Sequence, residues 1–436
     1  MDSSLKLTLH RYPPREAWSS LLERPRQEAG QLREAVGSIL EQVRQRGDAA
    51  VRDLERQFDK AELADLQVSE QEMEEAQQLV GDDLLAALQL AHHNIRSFHA
   101  AQCFESHLVE TQPGVVCWQQ AIPIERVGLY VPGGRAPLFS TVLMLATPAV
   151  LAGCPHICLC SPPDAQGKLH PAILVAARLA GVHHIYKIGG AQAIAAMAYG
   201  TESIPKVSKI FGPGNQYVTM AKQLVSLEGT AIDMPAGPSE VAVVADATSH
   251  PDWVAADLLS QAEHGPDSQC LLICTDEAMM EEVIREVERQ VALLPRRSIA
   301  EQALSHSHAV LVHDHEEALA LANAYAPEHL ILASDQADRL AEQVVNAGSV
   351  FLGHYACESA GDYASGTNHT LPTSGYARAY SGVCLDSFLR KITFQRISPE
   401  GIQAIGPAVE IMAENEQLHA HKQAMTLRLI KIKDKR

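Results

Sequence analysis

The sequence predicts an α/β protein: two doubly wound, Rossmann-like units of parallel sheet, with an N-terminal arm and a C-terminal helical tail. Three observations predict it. Between about residues 115 and 355, short apolar or β-branched runs alternate with helical stretches. Several of these runs end in glycine turns that open the next helix. A chain of 436 residues is also long enough for two or three domains.

Residues 1–25 carry proline and charge without clear periodicity and read as an extended arm. From Leu32 to Phe58, the positions Leu32, Val36, Ile39, Leu40, Val43, Val51, Leu54 and Phe58 keep helical spacing, broken at Gly47-Asp48. Residues 68–102 read as helical too. The character changes at about Val115. Strands are predicted at Arg126 to Val131, His156 to Cys160, His184 to Ile188 and Val207 to Phe211, with a helix after each. A second series starts at Glu240, with strands Glu240 to Ala245, Cys270 to Thr275, Ala309 to His313, His329 to Ala333 and Ser349 to Leu352. Residues 353–382 form a glycine- and serine-rich loop, long enough to be functional or disordered. From about Ser398 the chain reads as one helical stretch interrupted at Gly406-Pro407. The expected organisation is an arm over 1–25, one α/β domain over 26–114 and 239–382, a second inserted over 115–238, and a tail over 383–436.

Composition limits the function classes. A formal charge of −18, with no basic run except Arg428 to Arg436, argues against nucleic acid as a main partner. No uninterrupted apolar stretch reaches the ~18 residues of a membrane span. Met1 to Glu16 lacks an apolar h-region, so no signal peptide is expected. The nine cysteines, an odd number lying mostly in strand-like runs, read as reduced core thiols of a cytoplasmic protein.

Four constellations carry chemistry. The first is a helix from Asp252 to His264, with Pro251 at its start and Gly265-Pro266 as its stop. Gln261 and His264, three apart, leave the same side of its last turn and can share a divalent metal. A histidine at a helix end also serves as a cap to the dipole. The second is the set of turns Pro132-Gly133-Gly134, Gly189-Gly190-Ala191-Gln192 and Gly212-Pro213-Gly214-Asn215, each after a strand. They lie on one rim, where backbone can approach a phosphate, or they are simply tight turns. None matches the full G-x-G-x-x-G fingerprint.

The third constellation is Glu328-His329 before a strand: two acid–base groups whose side chains point to opposite sides of an extended chain. The fourth is the long loop with Glu358, Asp362, Asn368 and His369, where Asp362 is a possible anionic metal ligand and ordinary Asx turns are the alternative. Near the end, Glu416 and His419 share a helix face, whereas His421 is out of phase with Glu416.

Five stretches together resemble the histidinol dehydrogenase family: Gly-Pro-Gly-Asn at 212–215, Asp-Met-Pro-Ala-Gly-Pro-Ser-Glu at 233–240, Asp-Leu-Leu-Ser-Gln-Ala-Glu-His-Gly-Pro-Asp-Ser at 257–268, Ala-Pro-Glu-His at 326–329 and Gly-Thr-Asn-His-Thr-Leu-Pro-Thr at 366–373. The likeness runs in order from about residue 30 to the C-terminus. It implies NAD-dependent oxidation of L-histidinol to L-histidine through L-histidinaldehyde, the last step of histidine synthesis, with two NAD per turnover and one zinc per subunit. Zinc ligands would be Gln261, His264, Asp362 and His421, the last chosen over His419 because the family's Ala-His-Lys falls on 420–422. The resemblance makes His329 the general base and Glu328 the group that activates water. NAD would meet Tyr130, Gln192 and Asn215 in the 115–238 domain. Substrate would meet Ser239, His369 and Glu416, along with the zinc ligands and His329. It further implies a homodimer in which His421 enters the partner's site. A cysteine-dependent aldehyde dehydrogenase is the alternative, with Cys357 its nearest candidate.

Overall fold

The computed structural model describes residues 7–24, 29–133 and 137–434. Its strands are β1 (Thr8–Arg11), β2 (Val109–Gln112), β3 (Val115–Pro123), β4 (Arg126–Tyr130), β5 (His156–Ser161), β6 (His184–Lys187) and β7 (Lys209–Phe211). They continue with β8 (Ala231–Ile232), β9 (Glu240–Ala245), β10 (Gln269–Cys274), β11 (His308–Leu311), β12 (His329–Ala333), β13 (Ser349–Leu352) and β14 (Leu389–Ile397). The chain divides into two compact units, Met1–Gln102 with Glu125–Ser387, and Cys103–Ile124 with Phe388–Arg436.

The larger unit holds both parallel sheets. One has five strands in the order β6-β5-β4-β7-β8, the other six in the order β1-β11-β10-β9-β12-β13. Each is doubly wound: the order reverses between β4 and β7 in the first and between β9 and β12 in the second. The central β9, Glu-Val-Ala-Val-Val-Ala, is buried at all six positions, because helices cover both faces of the sheet. In the first sheet β4 and β7 approach closely at Gly212. A Cβ there would lie 2.0 Å from the Tyr130 carbonyl oxygen, and φ is +126°. Only glycine fits that approach.

Several expectations change. The arm is integrated: β1 pairs in parallel with β11, and Trp18 and Leu21 enter the core beside Tyr325 and Leu330. Residues 1–6 and 25 of that arm lie outside the described residues. The early helices Ala29–Arg46 and Asp48–Phe58 pack against the five-stranded sheet, not the six-stranded one. Val36, Val43, Val51 and Leu54 share a core with Tyr130, Ile194 and Val218. Periodicity showed that these helices had an apolar face, and could not show which sheet would cover it.

The run starting at Val115 does not begin the parallel sheet. In the smaller unit, β3 is the middle strand of an antiparallel sheet in the order β14-β3-β2. The helix Pro399–Asn415 passes through Gly406-Pro407 without a break. Leu429 of the following helix packs against Gly406, where a Cβ would lie 2.9 Å from a Leu429 methyl carbon. The actual break comes at Gln417, with φ 60°, before the helix His419–Lys433. Glu416 and His419 therefore belong to different helices and share no face.

Candidate active site

The helix Pro251–Ala262 buries Val254, Ala255, Leu258, Leu259 and Ala262. Gln261 is drawn into the same interior and is completely buried. The helix ends at Ala262, with Glu263 as its cap, so His264 stands just beyond the last turn. The 353–382 segment is ordered by a short helix, Glu358–Tyr363, which Gly361 lets lie against the Phe351 ring. Glu358 and Asp362 are one turn apart and share a face of it. Gly366, at φ +114°, sits where a Cβ would meet the Asn94 carbonyl at 2.9 Å. Beyond it, Asn368 donates to the Met144 carbonyl at 2.6 Å, and His369 bonds with Thr141 Oγ1 and the Asp362 carbonyl at 3.0 and 2.9 Å.

These elements bring one group of side chains together. His264 Nε2 lies 3.9 Å from a carboxylate oxygen of Glu358 and 3.9 Å from one of Asp362. His329 Nε2 is 3.5 Å from Asp362 Oδ1, and its Nδ1 is 3.7 Å from Glu328 Oε2. Glu328 is anchored by a 3.0 Å hydrogen bond from the Glu240 backbone N–H. Buried polar atoms usually find partners. Here both amide atoms of Gln261, both ring nitrogens of His329, both carboxylate oxygens of Glu358 and Oδ1 of Asp362 have no hydrogen-bond partner among the described residues.

The electrostatics follow from burial. Desolvation pushes the Glu328 and Glu358 carboxyls each up to about 8, His329 pulling the other way. Burial alone would lower His329, but the Glu358, Glu328 and Asp362 carboxylates outweigh it and raise the imidazole to about 10. Asp362 is held below its ordinary value: burial opposes this, and His329 and His369 outweigh the burial. Burial lowers the pKa of His264 and of His369 and favours their neutral, metal-binding forms.

This cluster sits at the N-terminal edge of the second sheet, where β9 and β12 begin. In open α/β sheets ligands ordinarily bind beyond the C-terminal ends. At that rim Asp246 is engaged by neighbouring side chains. Asp246 Oδ2 accepts from Ser334 Oγ at 2.6 Å and lies 2.9 Å from His315 Nε2.

In the first sheet two of the three turns are also occupied. Gly189 N–H donates to Glu55 Oε1 at 3.0 Å, and Gly190 N–H to the Tyr130 hydroxyl at 3.1 Å. Gln192 Nε2 donates to the same Glu55 oxygen at 2.8 Å. Gly212 N–H donates to Asp233 Oδ2 at 2.7 Å. Asn215 Oδ1 caps the helix Gln216–Ser226 by accepting from Tyr217 and Val218 N–H at 3.0 and 3.1 Å. The Gly189, Gly190 and Gly212 N–H groups are thus satisfied by the chain itself. Tyr130 and Gln192 come together around Glu55, while Asn215 stands at the next helix start. Gly134 lies outside the described residues.

A profile described as histidinol dehydrogenase matches residues 22–429. The chain belongs to the histidinol dehydrogenase family. It is 62% identical over 427 residues to histidinol dehydrogenase of Bacteroides fragilis (strain YCH46), covering 98% of this chain and 100% of that one. It is 51% identical over 417 residues to that of Yersinia pestis, covering 95% and 93%. The crystal structure of histidinol dehydrogenase from Elizabethkingia anophelis superposes with a TM-score of 0.96 at 54% identity, covering 98% and 99%. Histidinol dehydrogenases are oxidoreductases of histidine biosynthesis, and that is the activity class of this chain.

The remaining family positions fall in two places. Ser239 stands half-buried just before β9, and its carbonyl accepts from Gln269 N–H at 3.2 Å. Glu416 and His421 lie in the smaller unit, both exposed, one capping the helix Pro399–Asn415 and the other in the helix His419–Lys433. Sequence reasoning singled out Glu358 in the long loop but gave it no role, and it missed Glu55 in the Tyr130–Gln192 cluster. For Glu358 the acid-x-x-x-acid spacing to Asp362 was the available signal. Glu55 had none, since it reaches its partners only through tertiary packing. All nine cysteines are free thiols, and desolvation pushes buried Cys270 and Cys274 upward, Cys274 to about 11, away from thiolate chemistry. Among the described residues no helix is long and apolar enough to cross a membrane.

Proposed function

We propose that this chain oxidises L-histidinol to L-histidine through L-histidinaldehyde, a four-electron reaction using two NAD per turnover at a zinc centre. The observation that carries the reading is the buried group of polar atoms without partners on Gln261, Asp362, Glu358 and His329, gathered around His264. An amide oxygen, a neutral imidazole and carboxylates form a donor set suited to zinc or a similar small divalent ion. Gln261, His264 and Asp362 would hold it, with the partner's His421 completing the set in a homodimer. When bound, the ion supplies positive charge that offsets the surrounding carboxylates, and open positions for the amine and imidazole of the substrate. NAD would be held by Tyr130, Gln192 and Asn215, and would supply the hydride acceptor.

The chain's own residues then divide the proton work. Ser239, His369 and Glu416 orient the substrate, which positioning converts into a near-unimolecular reaction. With the Glu358 and Asp362 carboxylates that raise it offset by the ion, His329 would be neutral, and its Nε2, the nitrogen facing Asp362, accepts the hydroxyl proton as hydride leaves for NAD and the alcohol becomes the aldehyde. Glu328 takes a proton from water as that water adds to the aldehyde carbon, and His329 returns its proton to the carbonyl oxygen, which gives the hydrate and leaves the imidazole free again. His329 accepts the hydrate's hydroxyl proton in the second oxidation. The test is NADH formation from L-histidinol before and after chelation. Absence of NADH with the zinc-loaded protein would overturn the reading. The absence of a membrane span among the described residues and the biosynthetic class together fit a cytoplasmic enzyme.

A further inference from the structure

Glu358 opens the helix Glu358–Tyr363 one turn before Asp362, and its side chain is 1% exposed. A carboxylate that deep, with neither oxygen hydrogen-bonded among the described residues, is costly without a cation. Its nearest charged neighbours are those of the metal-type cluster. Ligand atoms of His264, Glu358 and Asp362 all lie within 4.8 Å of one another. His264 Nε2 stands at 3.9 Å from both carboxylates. That is too long for a hydrogen bond, yet within the roughly 4 Å that two ligands about 2.0–2.2 Å from one ion can span. Gln261, fully buried and equally without partners, faces the same problem from the neighbouring helix.

We propose that Glu358 is a direct ligand of the metal, a second carboxylate beside Asp362; this rests on the metal reading above. Gln261 and the histidines are neutral, so Asp362 alone leaves a divalent ion with a net positive charge. Glu358 neutralises it in the substrate-free enzyme. Its place on the same helical face as Asp362 lets one short helix deliver both anions.

The experiment measures zinc affinity of the whole protein by competition with a chromophoric chelator, and the visible absorption spectrum of the cobalt(II) form. Wild type, Glu358→Gln, Glu358→Asp and Asp362→Asn are compared, with circular dichroism of the metal-free forms as the folding control. Glu358→Gln is expected to lower zinc affinity about 10–100-fold and to shift the cobalt spectrum. Glu358→Asp, which keeps the charge, should fall between it and wild type, and this arm decides the matter if the amide variant misfolds. Affinity within twofold of wild type in Glu358→Gln would overturn the proposal. So would a loss of affinity with an unchanged cobalt spectrum, which would make Glu358 a counter-charge to His329. A wild-type chain that takes up neither zinc nor cobalt would overturn the metal reading itself. Normal uptake by both wild type and Glu358→Gln would overturn only the role of Glu358.

Discussion

Glu328 faces His329 across 3.7 Å, carboxylate oxygen to Nδ1, although the two are adjacent in sequence. In a regular strand neighbouring side chains leave opposite sides. The geometry arises because β12 begins only at His329. Ahead of it, Ala326 caps the helix His315–Tyr325 in the left-handed conformation, at φ 54°. For a non-glycine residue that costs roughly 1–2 kcal/mol. Glu328 is thereby free to turn back and accept from Glu240 N–H. A carboxylate and an imidazole are thus held beside one another at the start of β12.

The two residues should separate kinetically. General-base help is worth roughly 10²–10⁴-fold per step. His329→Ala should slow oxidation of histidinol and of histidinaldehyde alike. Glu328→Gln keeps the shape and should impair aldehyde oxidation more, because only that half needs activated water. Single-turnover NADH formation from each substrate measures both. Equal losses in Glu328→Gln would instead make Glu328 a residue that positions His329.

Chelation should abolish activity, and zinc or a similar divalent ion should restore it. His264→Ala should sharply lower metal content by elemental analysis, because the neutral imidazole is the ligand nearest solvent, with a side chain 43% exposed. Complete metal loss with unchanged turnover would end the zinc reading.

Shared sites predict complementation. His421→Ala chains and His329→Ala chains should each be inactive as homodimers. After subunit exchange, one site of each heterodimer regains both residues, so part of the activity should return. Demonstrated exchange with no recovery would argue against sharing.

The parallel strands were legible because their residues carry local signals. β9, β12 and β13 begin and end where their apolar runs do. Gln261, His264, Glu328 and His329 were legible from local pattern as well. What failed was long-range. The partner of Val115–Pro123 is β14, more than 260 residues away, and no local period encodes that pairing. Nor does any local period encode which sheet covers the helix Ala29–Arg46. The Gly406-Pro407 pair read as a helix break because local propensity says so. Packing of Leu429 on Gly406 overrides it. Glu55 shows the limit best: it sits in an ordinary amphipathic helix, and its carboxylate meets Gly189 and Gln192 only in the folded chain.

Glu55 also gives a prediction that depends on neither metal nor cofactor. Its side chain is completely buried. Burial, helped by nearby Asp59, pushes its carboxyl from an ordinary 4.5 up to about 8, against the hydrogen bonds from Gln192 and Gly189. The unfolded chain releases this proton near pH 4.5, and the folded chain holds it until about pH 8. Through that window the folded state binds more protons, so stability falls as pH rises, at up to about 1.4 kcal/mol per pH unit. Glu55→Gln removes the group while keeping an oxygen for Gly189 N–H. The variant should therefore lose less stability than wild type between pH 5 and pH 8, and its advantage should grow steadily across that range. Asp59, shifted in the same direction by burial, should leave part of the slope in place. Urea unfolding at fixed protein concentration, repeated at each pH, measures the difference; a constant gap between variant and wild type, or one that narrows toward pH 8, would show that Glu55 is ionised in the fold throughout.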